Sequence, residues 1–206
     1  ITLMLRYALR STPRLFIPRG EPNEGGFAGA VVLPPLRGKY DDVVLCVDFA
    51  SLYPSIMRAM NMSYETLVSN ETIAERGWVE GVDVRTVPDY IDGDRLQTVH
   101  NPSNCSFVTP RVREGLLPQI LREVLSERSA VKALMKESTD GMRAVLNGKQ
   151  LALKVVANSI YGFTGASVGF LPEPRIASSV TKYGRGLTLR TKDFVNNHPD
   201  WKSEVI

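Results

Sequence analysis

The sequence predicts an α+β fold organised around an antiparallel helical hairpin. Two long stretches with helical apolar spacing, about Leu116 to Glu137 and about Met142 to Tyr161, lie on either side of a turn signal at Asp140-Gly141. A short β-branched run, Val43 to Val47, stops on Asp48 and leads into a Tyr-Pro pair that suits a helix start. Residues 69–110 alternate acidic, Gly and Pro signals with short strand-like runs, VDVRTV and LQTVH, which read as an irregular β insertion.

The elements follow in chain order. Residues 11–39 are rich in Pro, Gly and Arg and read as loop with short strands, among them AVVL before Pro34-Pro35. Val43–Val47 is expected as a buried strand, with Cys46 a small hydrophobe inside it. Pro54 fits a first helical turn, where a missing N–H costs nothing, so a helix is expected from about Pro54 to Met60. A further helix, about Ile176 to Asn196, follows Pro172 and Pro174. The apolar residues from Trp201 to Ile206 read as the start of another strand.

Composition narrows the function classes. The chain has 206 residues, enough for one large domain or two small ones. No apolar stretch approaches the ~20 residues needed to cross a bilayer, so no membrane association is expected. Ile1–Arg19 carries spread arginines rather than a clean apolar block, which does not read as a signal peptide. The first residue is Ile, which suggests a piece of a longer chain. Two cysteines are too few for a disulfide framework or a zinc site, and favour a reducing, intracellular compartment. Charge is uneven: residues 1–107 carry 10 Lys and Arg against 13 Asp and Glu, and residues 108–206 carry 15 against 9. A basic half suits a polyanionic partner; solvated helix faces account for it equally well.

Three stretches carry candidate chemistry. In VDFASLYPSIM, a strand ending on Asp48 would hold a carboxylate on a rigid element, and the turn after it would expose helix N-terminal amides. Oxygen for a divalent ion beside N–H groups for phosphate is what a metal-bound polyphosphate requires. Asp48 or Ser51 as a plain helix N-cap is the structural alternative. In KVVANSIYGFTGA, Lys154, Asn158, Tyr161 and Gly162 fall on one helix face. A cation, an amide, an aromatic plate and bare backbone there suit a nucleotide. The alternative is an amphipathic helix packing through Val155, Val156 and Ile160. On the first hairpin helix, Arg128 interrupts the apolar stripe of Leu117, Leu121, Val124, Val131 and Met135, and Lys132 and Lys136 continue from it. Arg128 either snorkels out or meets an anionic ligand.

Together and in order, these stretches resemble the family B (alpha-like) DNA polymerases. DFASLYPSIM at Asp48–Met57 is similar to the family's motif A, and KVVANSIYGFTGA at Lys154–Ala166 to its motif B. VREGLLPQILREVLSER, VLNGKQLALKVVANSIYGFTGASVG and IASSVTKYGR are similar to the delta-type replicative enzyme and its large-DNA-virus relatives. The similarity covers about Tyr40–Leu67 and Arg111–Lys192. Ala50 resembles the herpesvirus-type enzymes, where the cellular delta enzyme has Ser, and leans the reading towards a viral source.

The resemblance implies a partial polymerase palm, an antiparallel sheet with helices, plus a fingers subdomain made by the hairpin. Residues 1–68 would be the N-terminal part of the palm, 69–107 an insertion, 108–165 the fingers, and 166–206 a palm helix with the start of a further strand. The activity implied is template-directed transfer of a nucleotide from a dNTP to a primer 3′-hydroxyl with two Mg²⁺ ions. Asp48 would bind both metals, with the Phe49 carbonyl helping at one. Backbone amides of Ser51, Leu52 and Tyr53 would hold the triphosphate, and Tyr53 would stack under the sugar and exclude a 2′-hydroxyl. Arg128, Lys132 and Lys154 would bind the β- and γ-phosphates, and Asn158 would help order that site. Tyr161 and Gly162 would pack against the nascent base pair and the templating base. Primer–template DNA, dNTP and a processivity factor are the implied partners, and the host nucleus the implied compartment for a herpesvirus-like or cellular enzyme.

The family's second aspartate motif, Tyr-Gly-Asp-Thr-Asp-Ser after motif B, has no match. YIDGD at Tyr90–Asp94 precedes motif B and reads as a hairpin turn. The expectation is therefore a fragment that cannot polymerise by itself. A non-catalytic nucleic-acid-binding module derived from the fold, or an unrelated α+β domain with chance matches, are the other readings.

Overall fold

The computed structural model describes residues 2–10, 26–87, 104–166, 171–201 and 203–205. Within them lie six helices and one small sheet: α1 Thr2–Arg10, α2 Leu52–Ala59, β1 Leu67–Val68, α3 Asn70–Arg76, β2 Val84–Thr86, β3 Ser106–Val108, α4 Leu116–Lys136, α5 Asp140–Thr164 and α6 Pro174–Asn196. This is an α+β arrangement. None of these helices is long and apolar enough to cross a membrane.

The hairpin forms as its periodicity predicts. Lys149 pairs with Glu127, Arg128 bonds Gln150, and near the connection Arg143 bonds the Met135 carbonyl. Partners that converge towards the turn make α4 and α5 antiparallel. On α4 the apolar stripe is buried at Leu117, Leu121, Val124 and Val131, and thins to half-buried Met135. The hairpin is therefore anchored at its base, where α1 also docks through Met4 and Ala8, and stands free at its tip.

The sheet has the order β1-β3-β2, antiparallel throughout, with Phe107 of β3 opposite Leu67 and Arg85. Phe107 is fully buried and joins Met57, Met62, Leu117 and Ile176 in a single core. α6 closes that core with Ile176 and Val180. Its Thr181 and Arg185 side chains donate to the carbonyls of Ala28 and Gly29, fastening that segment to the helix.

The joint between α2 and α4 is polar and buried. α2 ends in a Schellman turn: the Met62 amide donates to the Met57 carbonyl and the Asn61 amide to the Arg58 carbonyl, with Asn61 at φ 54°. The Asn61 carboxamide then donates to the carbonyls of Val108 and Arg113 and accepts from the Gly115 amide. The next two amides of α4, Leu116 and Leu117, donate to Glu65 and to the Ser63 hydroxyl. A remote segment thus supplies the cap that α4's own N-cap residue, Gly115, has no side chain to give.

Several expectations are corrected. Val43–Val47 is neither a strand nor buried: Val43 is 88% exposed, and Cys46 is exposed with it. A strand needs a neighbour for its backbone polar groups, and no described residue pairs with this run. AVVL forms no strand either, and neither do the described residues of 201–206. Asp140-Gly141 is not a turn. Thr139 occupies the N-cap and both residues fall in the first turn of α5, where Asp140 suits the helix dipole. The insertion is not purely β, because Ser69 caps α3 by accepting from the Thr72 amide. The α1 helix is an element the sequence reading did not assign. LQTVH and YIDGD lie outside the described residues.

Gly115→Ala tests the joint. An added Cβ would sit 2.9 Å from the Ser63 Cβ and 3.1 Å from the Asn61 Oδ1. Overpacking of this kind costs about 1–3 kcal/mol. Urea unfolding should move to a correspondingly lower midpoint with an unchanged slope.

Candidate active site

α2 is bracketed by the two described non-glycine residues with positive φ, Ser51 before it and Asn61 after it. Asn tolerates the left-handed region, and Asn61 is held there by its side-chain bonds. Ser51, at φ 51° and ψ 52°, makes no side-chain cap bond. A left-handed Ser at a helix entrance stores strain of order 1–3 kcal/mol, and such strain clusters at functional sites. Ser55 steadies the turn by donating its hydroxyl to the Ala50 carbonyl. Leu52 and Tyr53 occupy the first turn, where helix amides have no intrahelical acceptor.

Tyr53 is fixed from two sides. Its ring lies 4.6 Å, centroid to centroid, from that of Tyr161, with the planes tilted by 46°. On α6, Gly184 leaves its backbone bare beneath it: a Cβ there would come within 3.4 Å of the Tyr53 ring. The contact brings the two most distinctive stretches of the sequence together. Burial, and secondarily the neighbouring Tyr53, push the Tyr161 hydroxyl up to about 12.

The remaining predicted residues divide cleanly. Asp48 and Phe49 lie on an exposed, irregular approach to α2. Lys132, Lys154 and Asn158 are exposed on the hairpin, and none has a hydrogen-bond or ion-pair partner among the described residues. Arg128 is half-buried, and its Nε donates to the Gln150 Oε1 at 3.2 Å. It does not simply reach for solvent, and its partner is neutral. No hydrogen bond or ion pair joins Asp48 to Arg128, Lys132 or Lys154. Val155 and Val156 are exposed, so of the residues expected to pack α5 only Ile160 is buried.

Gly162 sits inside α5 where an added Cβ would meet nothing within 4 Å. The fold therefore has no use for a glycine at this point, which in a helix interior costs about 0.5–1 kcal/mol relative to Ala.

For a metal, the described residues offer an incomplete donor set. No three His, Cys, Asp or Glu side chains cluster among them. The Asp48 carboxylate and the Phe49 carbonyl are hard oxygen donors of the type Mg²⁺ takes, and they fit one side of such a site.

Sequence reasoning missed Asn61, Gly115 and Gly184. Asn just past a helix end is a left-handed cap signal that could have flagged the first. The other two owe their importance to contacts distant in sequence.

The family model described as DNA polymerase family B matches residues 1–206. The chain is 46% identical over 170 residues to the DNA polymerase delta catalytic subunit of Schizosaccharomyces pombe, covering 82% of this chain and 14% of that protein. It is 42% identical over 196 residues to the subunit of the same name from Bos taurus, covering 95% and 16%. The Arabidopsis thaliana subunit is 43% identical over 175 residues, covering 84% and 15%. The chain thus spans roughly a sixth or less of the length of these relatives.

Two outcomes follow from the geometry. Gly162→Ala should raise stability by about 0.5–1 kcal/mol in urea unfolding, since the new methyl meets open space. With the buried Tyr64 keeping a late step of its own, Tyr161→Phe should lower the late amplitude of an ultraviolet pH titration by one tyrosine rather than abolish it, because Tyr161 titrates late. Its folded-state value is raised above the ordinary 10.0, so its contribution to stability is complete below that pH and is lost as pH rises through about 12.

Proposed function

The chain belongs to DNA polymerase family B, and from that premise we propose that it carries part of the nucleotide-binding and catalytic centre of a replicative DNA-directed DNA polymerase. Residues 1–68 and 166–206 form parts of the palm, residues 69–107 an insertion in it, and residues 108–165 the fingers. The observation that carries the reading is the Tyr53–Tyr161 contact, in which the motif A and motif B stretches meet ring against ring.

Each residue then has a physical task. The entrance to α2 presents the amides of Ser51, Leu52 and Tyr53 to the triphosphate, aided by the positive end of the helix dipole. The strained Ser51 turn is what aims them. Tyr53, pressed against Tyr161 and backed by Gly184, cannot swing aside for a sugar that carries a 2′-hydroxyl, and so selects dNTP over rNTP. Arg128, Lys132 and Lys154 neutralise the β- and γ-phosphates, and Asn158 helps to order them. Bare backbone at Gly162 lets the templating base approach α5 beside Tyr161. Asp48, with the Phe49 carbonyl, would hold Mg²⁺, which when bound would supply acidification of the primer 3′-hydroxyl and charge stabilisation of the departing pyrophosphate. The substrates are primer–template DNA and dNTP, with a processivity factor as a further partner. The relatives reported above are cellular, and a viral source rests on Ala50 alone.

A test uses the full-length protein. Asp48→Ala should fold normally by circular dichroism and lose at least about a hundredfold in single-nucleotide incorporation. Lys154→Ala and Arg128→Ala should raise the KM for dNTP about tenfold or more, as expected for a lost charge-assisted phosphate contact. Near-normal turnover in Asp48→Ala would refute the assignment. Unchanged dNTP affinity in both cation variants would return the chain to a non-catalytic nucleic-acid-binding module derived from the polymerase fold.

A further inference from the structure

We propose that Asn61 is a positioning residue for nucleotide binding: its buried carboxamide sets the tilt of the helical hairpin against α2, and so sets where the hairpin cations stand relative to Asp48 and the α2 entrance. This rests on the function proposed above.

The side chain does more than its turn requires. A Schellman turn needs a residue that tolerates a left-handed backbone, and glycine would serve. Asn61 is instead 1% exposed with its carboxamide engaged at both ends. Its Nδ2 donates to the Val108 carbonyl at 2.7 Å and to the Arg113 carbonyl at 2.8 Å. Its Oδ1 accepts from the Gly115 amide at 2.8 Å. None of these partners belongs to the helix that Asn61 terminates; they lie on β3 and on the entry to α4.

The same segment captures the next amides of α4. Leu116 donates to Glu65, and Leu117 donates to the Ser63 hydroxyl at 3.2 Å, while that hydroxyl donates to Glu65 at 2.7 Å. Three consecutive amides at the base of the hairpin are therefore held by side chains from Asn61 to Glu65. The α4 hairpin helix is a lever fixed at this end. Arg128 lies 12 residues beyond Leu116, roughly 18 Å along the axis at 1.5 Å per residue. A tilt of about 5° at the base displaces Arg128 by roughly 1.6 Å. Misplacement of that order costs reacting systems about a hundredfold. Beyond Val131 the hairpin offers no second anchor: residues 132–150 are all exposed or half-buried.

The experiment measures dNTP KM and maximal rate per active site in the full-length enzyme, with active sites counted from the burst amplitude. Asn61→Gly keeps the left-handed turn and removes the carboxamide. The expected result is a KM raised tenfold or more. Asn61→Asp keeps an acceptor for the Gly115 amide but sets a carboxylate oxygen against the Val108 and Arg113 carbonyls, and should raise KM at least as much as Asn61→Gly. A merely structural role would lower the melting temperature and the burst amplitude, yet leave KM per active site within twofold of wild type; that result overturns the proposal. Should Asn61→Gly not fold, Ser63→Ala decides. It removes the acceptor for Leu117 and the hydroxyl's donation to Glu65, and should raise KM severalfold, and an unchanged KM overturns the proposal equally. Asp48→Ala runs alongside. If it still incorporates nucleotides, the functional reading fails. If it is inactive while the Asn61 and Ser63 variants keep wild-type KM, only the positioning role fails.

Discussion

The buried polar stretch from Asn61 to Thr66 is the constraint on which the arrangement depends. Asn61, Ser63 and Thr66 are almost wholly removed from water. A buried polar group left without a partner costs about 1–3 kcal/mol, so such a stretch is stable only when its bonds are made together. Thr66 closes it on itself, donating to the Asn61 carbonyl and accepting from the Ser63 amide. Its own carbonyl accepts from the Val108 amide and starts the β1–β3 pairing. The end of α2, the start of α4 and the register of the sheet are thus settled by one network. An apolar joint of the same volume would hold these elements together without dictating their angle.

α2 shows two ways of handling a left-handed residue. At its exit, Asn61 is of a tolerant type and its side-chain bonds offset the strain. At its entrance, Ser51 has neither advantage, and the strain is left standing. The helix can carry it because its other face is locked: Ile56 and Met57 are buried in the core, and Gly184 admits the Tyr53 ring close against α6. Rigid packing behind α2 is what keeps an unfavourable turn in front of it from relaxing.

The longer helices were legible in the sequence and, apart from VDVRTV, which contains β2, the strands were not, for one physical reason. A helix satisfies its backbone internally, so apolar spacing and Pro positions located α2, α4, α5 and α6 to within about three residues. A strand depends on a partner, and Val43–Val47 has every local mark of one without a described neighbour to pair with. The hairpin turn slipped from Asp140-Gly141 because both residues enter the first turn of α5, where the Asp140 carboxylate suits the helix dipole. At the site, the shared face of Lys154, Asn158 and Gly162 was legible because it is local. The Tyr53–Tyr161 contact, and the reach of Asn61 to Val108, Arg113 and Gly115, depend on residues far apart in the chain, and no local period encodes them.

The cations of the hairpin separate into two groups by their partners. Arg122, Arg143 and Lys149 each have a carboxylate within reach, at Glu114, Asp140 and Glu127. These pairs are exposed and contribute about 0–1 kcal/mol apiece, so the fold gains little from them and would lose little without them. Lys132 and Lys154 have no such acid among the described residues. Arg128 is held through its Nε by Gln150, a neutral amide that orients the guanidinium without cancelling its charge. A carboxylate there would tie up the guanidinium fork, and an alkyl neighbour would leave it unaimed. An oriented but unneutralised Arg, with three lysines on the same hairpin, Lys132, Lys136 and Lys154, unpaired among the described residues, is a disposition that folding alone does not reward. It is intelligible as charge kept available for an anion that arrives from outside the chain.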